Sequence, residues 1–385
     1  MAPNRKQGKK HVTSTYAAYQ SMTRDMALTT TRVEDEPQVK RETDYYLANI
    51  GKVKTVDDFV NNPRLFNYAM KAFGLEDMSY AKAFMVKVLN EGVSDPNSFA
   101  NQLTDPRYKA FAAAFNFAAD KDGATSYVAA QNGVTDRYTL TAIQNGVSAN
   151  NPVLQQQTQD YLKQVVDVKS IDDFLGNDTV YTYAMKAFGL DAKIGDKTFM
   201  RKILEGGVSD PNSFANQQTD KNYAAFAAAF DFATHGADTT TYSVPEQGAV
   251  DGYMRQTMED EAGAQNPGVQ LALYFQRKAP GITSAYDILA DKALAKVVRT
   301  ALRLPDSTAM LDIDKQASMI ESKLNIKDLQ DPAKLGDFLK RFTSLYDIDN
   351  PSVAQQSSPT AILFSQPTTQ GISTNLLLSI QQLKI

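Results

Sequence analysis

"GVSDPNSFANQ" occupies residues 92–102, and the same eleven letters stand unchanged at residues 207–217. The two copies lie 115 residues apart, and that spacing holds without a gap well beyond this phrase. "YAMKAFGL" at 68–75 returns at 183–190, "VKTVDDF" at 53–59 becomes "VKSIDDF" at 168–174, and "FAAAFNFA" at 111–118 becomes "FAAAFDFA" at 226–233. A worn third copy follows Asn266-Pro267, where "TSAYDIL" (283–289) echoes "KSIDDFL" and "VVRTALRL" (297–304) replaces "YAMKAFGL". About five extra residues then fall within "PDSTAMLDIDKQ" before "MIESKL" (319–324) takes the place of "FMRKIL". Such a period far exceeds the 20–50 residues of solenoid repeats, so the copies read as tandem units of domain size.

Each unit predicts a bundle of short helices, which makes the fold class all-α. Leu65, Phe66, Ala69, Met70 and Phe73 share one face of a 3.6-residue helix, and Val180, Tyr181, Ala184, Met185 and Phe188 reproduce it. Phe84, Met85, Val88 and Leu89 form a second stripe; Tyr108, Phe111, Ala112 and Phe115 form a third. No alternation of period two recurs. Thr55-x-x-Asp58, Ser170-x-x-Asp173 and Ser284-x-x-Asp287 read as capping boxes with the shorter acid in last place. Asp95-Pro96, Asp105-Pro106 and Asp331-Pro332 read as N-caps followed by proline in the first turn. Gly74 and Gly189 stand where left-handed C-caps are expected. "GVSDPNSFANQ" thus predicts a helix stop at Gly92, a start capped by Asp95 and a buried Phe99. The expected divisions are a basic disordered tail (1–15), a lead helix with the first unit (16–150), a second unit (151–265), a divergent third (266–350) and a Ser/Gln/Thr-rich linker with a short C-terminal amphipathic helix (351–385).

Composition narrows the function classes. The first eleven residues hold Arg5, Lys6, Lys9 and Lys10 against a total net charge of −4, which leaves about −8 on the rest. A chain so charged argues against nucleic acid as a partner, since phosphate contacts need clustered cations on a folded face. No apolar run is long enough to insert in a membrane, and the N-terminus lacks the apolar centre of a cleavable signal. Cysteine is absent, and His11 and His235 are the two histidines, so thiolate chemistry and a standard zinc site find no support; the glycines form no GxGxxG or GxxxxGK(S/T) pattern, so no cofactor with a phosphate to cradle is expected. His235 reads as a loop residue matched to Asp120 in the first unit. The pairs Asp57-Asp58 and Asp172-Asp173 read as helix starts more readily than as acid and base, because neighbours on a helix diverge by about 100°. "DKDG" at 120–123 resembles the start of a calcium loop, but Ala129 stands where its closing Glu would be. Lys71 and Lys186 interrupt an apolar face and are expected to snorkel outward. The alanines of "FAAAFNF" suit close helix packing or an accessory groove. Leu376, Leu377, Ile380 and Leu383 fall on one helical face and are the candidate docking residues, either onto this chain or onto a partner.

Taken together, "ETDYYLANIGKVKTVDDFV", "LFNYAMKAFGLEDMSYAKAFMVKVLNEGV", "LALYFQRKAPGITSAYDILAD" and "DIDKQASMIESKLNIKDLQDPAKLGDFLKRF" resemble the alphaproteobacterial family catalogued as domain of unknown function 1217. The resemblance covers residues from about 16 to about 347, and the middle unit reads as an addition to the family's usual pattern. It implies a helical protein without assigned catalytic residues, often encoded among flagellar basal-body and export genes. The expectation is a non-enzymatic flagellum-associated structural or protein-binding protein, cytoplasmic or on the flagellum, with basal-body or export components as partners. A cytoplasmic adaptor or export chaperone is the first rival, and an enzyme working through carboxylates is the second.

Overall fold

The computed structural model of the chain describes residues 14–351. No strand occurs among them; their one extended pairing is an isolated antiparallel bridge between Val128 and Ser243, residues one period apart. The first stretch comprises α1 (Thr15–Thr23), α2 (Met26–Glu34), α3 (Pro37–Ile50), α4 (Val56–Val60), α5 (Pro63–Ala72), α6 (Lys82–Glu91), α7 (Phe99–Gln102), α8 (Pro106–Ala114) and α9 (Phe117–Asp120). Next come α10 (Val134–Gln144), α11 (Pro152–Val165), α12 (Ile171–Gly176), α13 (Asp178–Ala187), α14 (Lys197–Glu205), α15 (Asn222–Ala229) and α16 (Phe232–His235). The last are α17 (Ala249–Gln265), α18 (Pro267–Lys278), α19 (Ala285–Ala290), α20 (Lys292–Ala301), α21 (Ile313–Glu321) and α22 (Pro332–Asp349). A short π-helical turn precedes both α10 (Ala129–Gly133) and α17 (Val244–Gly248).

Local chemistry sets most of the helix starts. Thr55 accepts from the Asp58 amide while Asp58 accepts from the Thr55 amide, and Ser284 and Asp287 repeat this closed box. In the second unit the box is half open: Ser170 accepts from the Asp173 amide, but Asp173 reaches back to the Lys169 amide instead. Asp105 and Asp331 cap α8 and α22 as expected.

Inside "GVSDPNSFANQ" the expectation needs correction. Asp95 does not start a helix; its carboxylate accepts from the Asn97 amide in a tight turn, and α7 begins later, at Phe99. Phe99 is half-buried, edge-on to Phe84 at 5.0 Å. The repeated polar letters have physical work that the sequence did not disclose: Asn101 Nδ2 donates to the carbonyls of Val93 and Asp95, and Asn216 does the same to Val208 and Asp210. Gly92 does end α6, at φ 60° and ψ −150°, a conformation open in practice to glycine alone. A Cβ there would lie 2.7 Å from Ala118 Cβ. Gly92→Ala is therefore expected to lower stability by about 2–4 kcal/mol, strain plus overlap, read from the urea midpoint at unchanged m-value.

Two hydrophobic cores result, and they do not follow the breaks expected at 150/151 and 265/266. One core joins residues from Tyr19 to Ala124 with residues from Ala249 to Tyr346. The other lies wholly within Ala130–Phe232. The helix after the first unit, α10, packs on α13 of the second unit, whereas α17 packs on α5 of the first and on α18 of the third. The middle unit is thus an insertion whose two ends meet at the Val128–Ser243 bridge. Both helices close a core in the same way: Tyr253 stacks on Tyr68 at 3.9 Å and Tyr68 on Tyr46 at 4.3 Å, and Tyr138, Tyr183 and Tyr161 repeat the stack.

This arrangement also decides where Lys71 points. Lys186 is exposed, as expected of a snorkelling lysine. Lys71 is not: α17 covers it, and its ammonium lies 3.1 Å from Asp260 and over the Tyr253 ring.

Candidate functional site

The insertion sets the first and second units face to face. Between them lies a cleft of about 420 Å3, and twelve of its fifteen lining residues form pairs one period apart: Ala113 with Ala228, Ala114 with Ala229, Asn116 with Asp231, Asp120 with His235, Tyr127 with Tyr242, Ala129 with Val244. A surface lined by residues and their own counterparts is the signature of a two-fold contact, here within one chain. Reciprocal bonds brace its rim. Tyr46 Oη donates to the Pro245 carbonyl at 2.6 Å, and Tyr161 donates equivalently to the Ala130 carbonyl. Gly133 lets the turn pass close to Tyr127, whose hydroxyl would stand 2.6 Å from any Cβ there.

"FAAAFNF" serves both readings made of it. Phe111, Phe115 and Phe117 are buried in the core, while Ala113 turns outward to line the cleft, joined by Ala119 two residues past the stretch. Small side chains leave the opening; bulkier ones would fill it.

Polarity is where the two halves differ. His235 is not an exposed loop residue: it ends α16, is half-buried and stacks on Tyr242 at 3.7 Å. The sequence could not show this, because the stack joins the end of one short helix to a turn beyond a glycine. Burial holds the imidazole below its ordinary value of 6.5, against the pull of Asp231, Asp251 and Asp238. Its counterpart Asp120 is raised by burial first and by Asp136 second. Burial also lifts Tyr127 to about 12. Asp231 is committed to capping α16 through the Thr234 amide, and Tyr242 donates to Asp251 at 3.0 Å.

Because the folded chain resists protonating His235, its contribution to stability is whole above the unfolded value near 6.5. It is lost as pH falls through that value, since the unfolded chain takes the proton first. His235→Gln should therefore remove the fall in stability that sets in as pH drops through about 6.5, measured by urea unfolding at each pH.

The other candidate residues are dispersed. Asp58, Asp173 and Asp287 sit at three separate helix starts, bonded to backbone amides. Asp172 pairs with Arg201. Among the described residues no three His, Asp or Glu side chains are grouped to hold a metal ion. No described helix is long and apolar enough to cross a membrane. Leu376, Leu377, Ile380 and Leu383, and His11 with the basic N-terminal segment, lie outside the described residues.

No curated protein matches the chain. A crystal structure of a protein from Agrobacterium tumefaciens does, at 35% identity and a TM-score of 0.51, over 88% of this chain and 94% of that one. The family profile described as "Protein of unknown function (DUF1217)" matches twice, over residues 72–186 and 187–335, and the first match is one period long. Two abutting matches over most of the chain, on the repeat that the cores display, place it: the chain belongs to the DUF1217 family.

Proposed function

We propose that this is a non-enzymatic, flagellum-associated protein that binds or supports other proteins through its helical units. The observation that carries the non-enzymatic reading is the employment of the repeated carboxylates. Asp58, Asp173 and Asp287 each accept backbone N–H groups at helix starts, which is structural use and leaves their oxygens turned to the chain itself. The flagellar part rests on the company kept by the resembling family and on a chain with neither Cys nor Trp, a composition common among proteins passed through the flagellar export apparatus. Partners on this reading are basal-body or export components.

Motility of a deletion strain and co-purification of the tagged protein from motile cells test it. Impaired swimming with recovery of basal-body or export components is expected. Normal swimming with no flagellar component recovered would sink the reading. Immunolabelling of sheared filaments and fractionation then separate a protein on the flagellum from a cytoplasmic adaptor or export chaperone.

A further inference from the structure

A groove of about 630 Å3 opens between the end of α1, the outer face of α2 and the last turns of α17. Met22, Leu28 and Ala262 give it an apolar lining, and Leu28 stands 67% exposed there. Its rim is acidic. Asp35 and Glu261 line it, and Arg32, 3.2 Å from Glu261, is the one cation in the lining. The lining thus sets two carboxyls against one guanidinium; burial first, and Glu36 second, also hold the Glu261 carboxyl above its ordinary value, a shift that an added cation would relieve. An apolar segment that also brings a cation suits such a groove.

The chain leaves its last described helix beside this groove. Asp347, in the final turn of α22, accepts from the amide and hydroxyl of Thr15. Thr15 Oγ1 in turn accepts from Asn266 Nδ2 at 2.8 Å, and Asn266 directly follows Gln265, a groove residue. Beyond Pro351 the sequence carries one charged side chain, Lys384, next to Leu383. Some 25 residues separate Pro351 from Leu376, a reach of up to about 80 Å when extended.

We infer that the groove receives this chain's own C-terminal segment, with Leu376, Leu377, Ile380 and Leu383 against Leu28 and Met22 and Lys384 at the Asp35–Glu261 rim. Tethering favours this occupant: a segment on a short linker acts at an effective concentration near millimolar, which a free partner or a second copy must exceed. The inference does not depend on the flagellar reading.

The absence of cysteine makes the test clean in the full-length chain. Leu28→Cys with Ile380→Cys, oxidised at low micromolar concentration, should give a disulfide within one chain. The control pair Tyr80→Cys with Ile380→Cys, at a side chain 80% exposed outside the groove, should form it at least tenfold more slowly. Equal rates overturn the proposal, and so does a disulfide between chains, which would put a second copy in the groove. Hydrogen exchange supplies a readout free of cross-linking: Ile380→Asp should speed exchange of the α2 amides about tenfold and Lys384→Glu severalfold. Unchanged protection in both would equally overturn it.

Discussion

Joining Val128 directly to Val244, which removes residues 129–243 and one full period, will leave a chain that folds cooperatively with its larger core intact. Those two residues flank the ends of the inserted unit, and Val128 already pairs with Ser243. Val244 is the counterpart of Ala129, so the junction keeps the native order of turn and helix. Removing residues 151–265 instead also takes out one period, yet this protein will be far less stable. The difference lies in which closing helix survives, since the second deletion puts α10 where α17 belongs. Gly252 becomes Arg137 in that register, although any Cβ at Gly252 would come 2.5 Å from the Ala72 carbonyl oxygen. Glu259, Asp260 and Glu261 become Gln144, Asn145 and Gly146, which strands Arg277, Lys71 and Arg32. Overpacking and a broken ion pair together cost on the order of 4–8 kcal/mol. Thermal unfolding of the two shortened chains, equal in length, will separate them by about 10 °C or more. Equal melting temperatures would refute this assignment of the helices.

Arg277→Ala will be among the most damaging single substitutions in the larger core. Glu259 on α17 is 1% exposed and takes two bonds of 2.7 Å from the Arg277 guanidinium on α18. Losing the arginine leaves a carboxylate out of water without its partner, which costs about 3–5 kcal/mol. Removing both charges by Glu259→Gln with Arg277→Met should recover more than half of that loss, because the cost lies in the unanswered charge. A double-mutant cycle by chemical unfolding checks both statements. Additive losses would show that the pair does not hold α17 to α18.

How much of this was legible in the sequence depends on how far each interaction reaches. The boxes at Thr55 and Ser284 span three residues and were read directly; so were the stops at Gly74 and Gly92. Asp95 misled because Asp-Pro caps a helix in one context and makes a turn in another, and the choice rests on Asn101, six residues on, bonding back across the loop. His235 looked like a loop residue because its stack on Tyr242 spans a glycine-containing turn. The cleft itself was invisible, since its walls are two copies of one helix face brought together by an insertion. The alanines of "FAAAFNF" were the available hint.

The sequence by itself determined that the chain is helical, where most helices start and that its first two units share one plan, because caps and apolar periodicity act over a single helix. Tertiary structure alone decided which helix closes which core. Both α10 and α17 offer the tyrosine and the apolar stripe that either core accepts. They are told apart by Gly252, Glu259, Asp260 and Glu261, and the last three answer to Arg277, Lys71 and Arg32. Gly252 answers to the backbone of Ala72, a neighbour that only the folded chain brings near.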